Sequence, residues 1–150
     1  MRALIQRALE AKVEVDGAVI SSIDQGLLVF LGVEDADEQE DIDWLCKKIA
    51  NLRIFRDENG VGNRSVIDVE GSLLVVSQFT LHASVKKGNR PSYIRAARPE
   101  KAIPMYEQFV KTLQFQTQRP VMTGEFGADM KVSLINDGPV TIWMDSKQKD

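Results

Sequence analysis

Eight consecutive residues, Gly26 to Val33 (GLLVFLGV), carry no polar or charged side chain. The run falls far short of the roughly 20 residues of a membrane-spanning helix. It also lacks the apolar/polar alternation of a half-exposed strand, so it predicts a strand covered on both faces at the centre of a sheet. The rest of the chain must supply the cover. Upstream, Val13 and Val15 alternate with Lys12, Glu14 and Asp16, and Asp16-Gly17 offers a tight hairpin turn before Ala18-Val19-Ile20. The chain therefore opens as a β-meander. Downstream, Asp37 or Asp41 is expected to cap a helix whose apolar face holds Ile42, Leu45, Ile49 and Leu52, with Cys46 as a packing thiol on that face.

The remaining elements follow the same signals. Arg53 to Arg56 reads as a short strand, residues 57–60 as a turn, and Ser72 to Leu81 (SLLVVSQFTL) as a second buried strand. Pro99 opens a second helix with Ile103, Tyr106, Phe109, Val110 and Leu113 as its buried stripe. Met130, Val132 and Leu134 alternate with polar residues, and Asn136-Asp137-Gly138-Pro139 is expected to turn the chain into a last strand, VTIWM. Strands dominate, and two helices appear without βαβ alternation. The fold class is α+β, packed sheets flanked by helices.

At 150 residues and 43% apolar composition, the chain fits one domain over residues 1–150. One cysteine and one histidine permit neither an internal disulfide nor the usual zinc sites, so no metal is expected; no organic cofactor is expected either. The opening MRALIQRALEAKVEV has no apolar core of a secretory signal, which makes the cytoplasm the expected location and a membrane partner unexpected. Net charge is only -3, but it is unevenly spread. The stretch Glu34–Asp43 has seven acidic residues and no basic one, whereas residues 86–101 carry Lys86, Lys87, Arg90, Arg95, Arg98 and Lys101 against Glu100 alone. A phosphate-bearing partner could sit on the second stretch, but from charge alone a solvated loop and helix start is the favoured explanation.

Chemistry has three candidate locations. Gly60-Val61-Gly62-Asn63-Arg64-Ser65 imitates a dinucleotide loop, but it is misspelled and precedes no helix. Thr80 and His82, two apart on the expected strand, point to one face and make a possible nucleophile and base, although no carboxylate lies within reach on that strand to orient the histidine. Ser77-Gln78-Phe79-Thr80 offers a third option. Where a buried strand frays, main-chain N–H groups lose their ladder partners and can serve as oxyanion donors, with neutral Ser, Gln and Thr beside them.

Two of these segments, SQFTL at residues 77–81 and NDGPVT at residues 136–141, resemble the paired signatures of the D-aminoacyl-tRNA deacylases. The segments ALIQRA around Arg7, GLLVFLGVE, Arg90-Pro91-Ser92 and ADMKVSL resemble that family in the same order, so the likeness spans all but a polar tail at residues 146–150. The resemblance implies a three-layer β/β/α fold, mostly antiparallel and barrel-like with two main helices. It implies a homodimer that hydrolyses D-aminoacyl-tRNA, and glycyl-tRNA mischarged on non-cognate tRNA, while rejecting L-aminoacyl-tRNA. Ser77, Gln78, Phe79 and Thr80 would line the scissile ester, with the N–H groups of Phe79 and Thr80 holding its carbonyl oxygen. Gly138 and Pro139, joined by a cis peptide, would enter the partner's pocket and select the substrate's hand. Arg7 would brace that segment with Asn136 in support, Phe126 and Met130 would contact the terminal adenine, and Lys86, Lys87 and Arg90 would meet the tRNA backbone. Two rivals stay open: a non-catalytic RNA-binding module built on residues 86–101, and a threonine-histidine esterase indifferent to RNA.

Overall fold

The computed structural model describes residues 1–150. Strand β1 (Arg2–Val15) turns through Asp16 and Gly17, both at positive φ, into β2 (Ala18–Ile23), as the Asp-Gly signal requires. Strand β3 (Gly26–Gly32) is the buried run, and helix α1 (Gln39–Asn51) follows it. A two-residue β4 (Phe55–Arg56) and β5 (Gly62–Arg64) form a separate small ribbon. Strand β6 (Ser72–Ser77), helix α2 (Pro99–Thr117), β7 (Val121–Thr123) and β8 (Met130–Asp145) complete the chain.

The main sheet runs β2-β1-β3-β6-β7, with β8 on the other side of β1. Strand β1 pairs antiparallel with β2, β3 and β8, whereas β3–β6 and β6–β7 are parallel. The sheet is therefore mixed, and it curls until Ser21 of β2 donates a hydrogen bond to the Thr123 carbonyl of β7, nearly closing a barrel. Inside the curl lies a small apolar cluster that includes Val13, Leu28, Leu74 and Val76. The opposite face presents Ile5, Leu27, Val29, Leu31 and Val75, which α1 and α2 cover with Ile42, Leu45, Ile49, Phe109 and Leu113. Both faces of β3 are thereby filled, which accounts for its unbroken apolar sequence.

Several local expectations need correction. Glu38, not Asp37 or Asp41, is the N-cap of α1; Asp41 sits at the third helical position and accepts from the Glu38 N–H at 2.8 Å. Asp37 is instead fully buried under the Met1 ammonium, 2.5 Å away. The strand expected over Ser72–Leu81 stops at Ser77, and Phe79–His82 is a 3-10 turn. Ser146 opens no free tail: it is buried, accepts from Met1 and donates to Asp41. Cys46 is the packing thiol expected, fully buried with its pKa pushed up by burial.

The largest correction concerns residues 136–141. The chain does not reverse there. Met130–Ile135 and Thr141–Asp145 pair with the same strand, β1, in one continuing direction: Asn136 faces Ala8 and Thr141 faces Gln6. Five steps along β8 thus match two along β1, and residues 137–140 are pushed out as a bulge.

Candidate active site

The bulge is built from backbone outward. The Gly138-Pro139 peptide is cis, and Gly138 sits at φ +145. Asn136 spans its base, accepting from the Val140 N–H at 2.7 Å while its amide donates to the Val140 carbonyl and to Thr141 Oγ1, both at 3.1 Å. Arg7 is buried behind it; Nε donates to the Asp137 carbonyl at 2.7 Å, and Nη1 to the carbonyl of Ile54. Arg56 adds an ion pair to the Asp137 carboxylate at 3.1 Å. Arg7 and Asn136 thus both hold the bulge by hydrogen bonds. Arg56 and the Ile54 carbonyl carried no signal in sequence, because nothing in the spacing tells which loop lies beside residue 137.

The second cluster lies at the end of β6. Gln78 still donates its N–H to Leu31 at 2.7 Å, and the chain then tightens into the 3-10 turn, with Leu81 N–H bonded to Gln78 and Ala83 N–H to Thr80. The N–H groups of Phe79 and Thr80, first in that turn, have no main-chain acceptor. Arg2 holds the turn from outside through the Leu81 carbonyl at 2.8 Å. Gln78 donates its side-chain amide to Thr80 Oγ1, so the threonine hydroxyl is an acceptor here and is not joined to a base.

Ser77 and Phe79 line a cavity of about 360 Å³ whose other walls include Tyr93, Ala97, Arg98 and Phe126. Phe79 meets Tyr93 edge-on at 5.2 Å, and Phe126 leans on Tyr106 at 6.0 Å. Burial pushes the Tyr106 phenol up to about 12, so it stays a neutral donor to the Val75 carbonyl. No carboxylate and no imidazole lines this cavity. Nowhere in the molecule do three or more His, Cys, Asp or Glu side chains converge as metal ligands.

Of the residues singled out in sequence, Ser77, Phe79 and Phe126 line this cavity, while Gln78 and Thr80 lie on the same segment without lining it. Met130 does not line the cavity; its sulfur packs over Gly124 and its side chain borders the cluster inside the curl. Lys86, Lys87 and Arg90 stand exposed on a loop closed by the Ser84–Ser92 bridge, beyond the turn. The threonine-histidine pair fails on geometry, since both residues lie in a 3-10 turn instead of on one strand face and His82 is buried. Gly138 and Pro139 sit three strands from Ser77, with β1 and β3 between, about 14 Å by strand spacing alone.

The family model described as D-Tyr-tRNA(Tyr) deacylase matches residues 4–145. A D-aminoacyl-tRNA deacylase of Flavobacterium johnsoniae is 63% identical over 150 residues, and one of Bacteroides fragilis is 61% identical; each alignment covers the whole of both chains. Among solved structures, the c-Myc DNA Unwinding Element Binding Protein superposes with a TM-score of 0.92 at 41% identity, covering 97% of this chain and 98% of that one. A probable eukaryotic D-amino acid tRNA deacylase gives 0.80 at 16% identity, over 95% of this chain and 97% of that one, a likeness of fold alone.

Proposed function

We propose a mechanism from one settled premise: this chain belongs to the D-Tyr-tRNA(Tyr) deacylase family, and it is a hydrolase of D-aminoacyl-tRNA. In our reading it cleaves the ester of D-aminoacyl-tRNA and of glycyl-tRNA mischarged on non-cognate tRNA, releases the free amino acid, and leaves L-aminoacyl-tRNA intact. The observation that carries this is the pair of unpartnered N–H groups at Phe79 and Thr80, on a turn walling a pocket that holds no acid and no imidazole. Such a site stabilises an oxyanion and supplies no base. Water adds to the ester carbonyl, the 3' oxygen of the ribose departs, and the neighbouring 2'-hydroxyl moves the proton. Thr80, held by Gln78, positions the substrate.

The hand of the substrate is read by main chain. Gly138 and Pro139 are too far from Ser77 to serve a substrate in their own chain, so each pocket takes the bulge of a second copy. The sheet face between the two clusters supports this. Leu4 pairs with Phe30 on one side and with Trp143 on the other, and Trp143 is 49% exposed, leaving a half-covered apolar strip. The homodimer buries it. A rigid wall at the α-carbon collides with an L side chain and leaves room for a D side chain or for glycine.

Around this core, Phe126 and Met130 contact the terminal adenine, with Met130 swinging from Gly124 to reach it. Lys86, Lys87 and Arg90 meet tRNA phosphates. The whole of residues 1–150 works as one domain in the cytoplasm; no helix is long and apolar enough to cross a membrane. The test is release of amino acid from D-tyrosyl-, L-tyrosyl- and glycyl-tRNA by the purified protein. A wall costing the L form about 4 kcal/mol gives a preference of roughly a thousandfold. Equal cleavage of the D and L esters overturns the reading.

A further inference from the structure

The active-site turn ends in a side chain without work in that mechanism. His82, the one histidine of the chain, is 1% exposed, and neither ring nitrogen makes a well-formed hydrogen bond, the Gly32 backbone offering only a weak polar contact. Native proteins rarely keep such a group without a use for it. Its Nδ1 lies 3.5 Å from Glu34 Oε2, just beyond a hydrogen bond, and the same oxygen lies 3.4 Å from Nη2 of Arg95. One carboxylate oxygen therefore stands between an imidazole inside the turn and a half-exposed guanidinium on the basic segment.

The Glu34 backbone is pinned, since its N–H donates to Asp37 at 2.8 Å and the residue bridges to Ala96, so only its side chain is free to lean. On its other sides His82 meets Gly32, where an added Cβ would fall 3.0 Å from the ring. The remaining charges facing it are the Arg2 guanidinium, paired with Asp145, and the Met1 ammonium, paired with Asp37. Glu34 is the one facing charge whose partner is shared with solvent.

We propose that Glu34 couples the basic segment to the active-site turn: when a phosphate draws Arg95 away, the freed carboxylate accepts a hydrogen bond from His82 Nδ1 and fixes the Phe79–His82 turn. His82 is then a positioning residue for deacylation. The proposal rests on the reading of residues 86–101 as a tRNA contact. Freed of Arg95, Glu34 lets His82 hold a proton more readily; by linkage, a protonated His82 releases Arg95 to phosphate.

A single histidine makes the test direct. The ring resonances of His82 are followed by NMR from pH 5 to 8, without and with uncharged tRNA, in wild type, Arg95→Gln and Glu34→Gln. Bound tRNA is expected to raise the wild-type midpoint by about half a pH unit or more. Arg95→Gln shows the raised midpoint with no tRNA present, and Glu34→Gln shows no tRNA-dependent change. His82→Gln lowers kcat for D-tyrosyl-tRNA while KM stays put. An unmoved midpoint in tRNA-free Arg95→Gln, or a shift that persists in Glu34→Gln, overturns the coupling; full kcat in His82→Gln overturns the positioning role. The Arg95→Gln arm needs no tRNA, so it decides the coupling even if the tRNA reading of the segment fails, which a parallel tRNA-binding titration would reveal.

Discussion

At Gly138 a single carbon separates a working bulge from a displaced one. A Cβ there would fall 2.9 Å from both Arg7 Nη2 and Val140 Cγ2, on a backbone at φ +145 that L residues avoid. Gly138→Ala is expected to keep the sheet and lose about a hundredfold or more in D-tyrosyl-tRNA hydrolysis, the scale of an ångström-sized misplacement. Phe79 allows a cleaner question. It opens the 3-10 turn, its N–H has no main-chain acceptor, and Gln78 before it is non-helical at φ -142 and ψ 79, so proline there removes the donor without breaking a main-chain hydrogen bond. Phe79→Pro should fall about 10² to 10³ below Phe79→Ala, which loses the ring but keeps the N–H. Thr80→Ala should lose far less than the 10⁴ or more of a missing nucleophile. Single-turnover rates on D-tyrosyl-tRNA settle all three. The identities of these residues were legible in the two motifs, whereas Arg56, Tyr93 and Glu34 were not, because their roles come from loops brought together only in three dimensions.

Among the elements, β3 shows how far apolar patterning reaches and where it stops. Its run predicted a strand buried on both faces, and Gly26 at its start adds a constraint that patterning cannot see: a Cβ there would lie 1.7 Å from the Ser72 carbonyl of β6. Gly26→Ala must therefore spread the first β3–β6 pair, and about 2 kcal/mol or more of stability should disappear in a urea melt. Where patterning misled, a local signal fitted two structures. Ser72 to Leu81 has the apolar, β-branched and aromatic content of a buried strand throughout, and Gln78 still bonds to Leu31, but the next residues curl into the turn that frees two N–H groups. Asn136 to Pro139 has the composition of a hairpin turn. It became a bulge because β1 is long enough to pair with the chain on both sides of it, and a sequence does not display the length of its partner strand.

Over the whole molecule, buried charge ties stability to pH in two windows. Burial, opposed in part by the Gly32 backbone and Glu34, holds the His82 pKa below its ordinary 6.5. The unfolded chain takes the proton first, so stability is full above about 6.5 and falls as pH drops towards the folded value. His82→Gln should flatten that slope in urea melts run at several pH values. Asp41 and Asp145 act lower down. Burial opposes their ionisation, but bonds from Ser146, the Glu38 N–H and Lys147 to Asp41, and from the Lys147 N–H and Arg2 to Asp145, hold both below 3.8. Their contribution is present above that value and is lost as pH falls through the folded pKa. Mixing variants shows how many chains make one site. If the turn of one copy works with the bulge of another, Phe79→Pro and Gly138→Ala damage different halves of each pocket. A mixed dimer of the two variants then contains one pocket with both defects and one with neither. Equal amounts, unfolded together and refolded, put about half of the chains into mixed dimers and should restore about a quarter of the wild-type rate from two nearly inactive proteins. Trp143→Glu, which charges the strip between the clusters, should yield monomers by sedimentation and remove that recovery. No recovery on mixing, with dimers present, would place the whole site within a single chain.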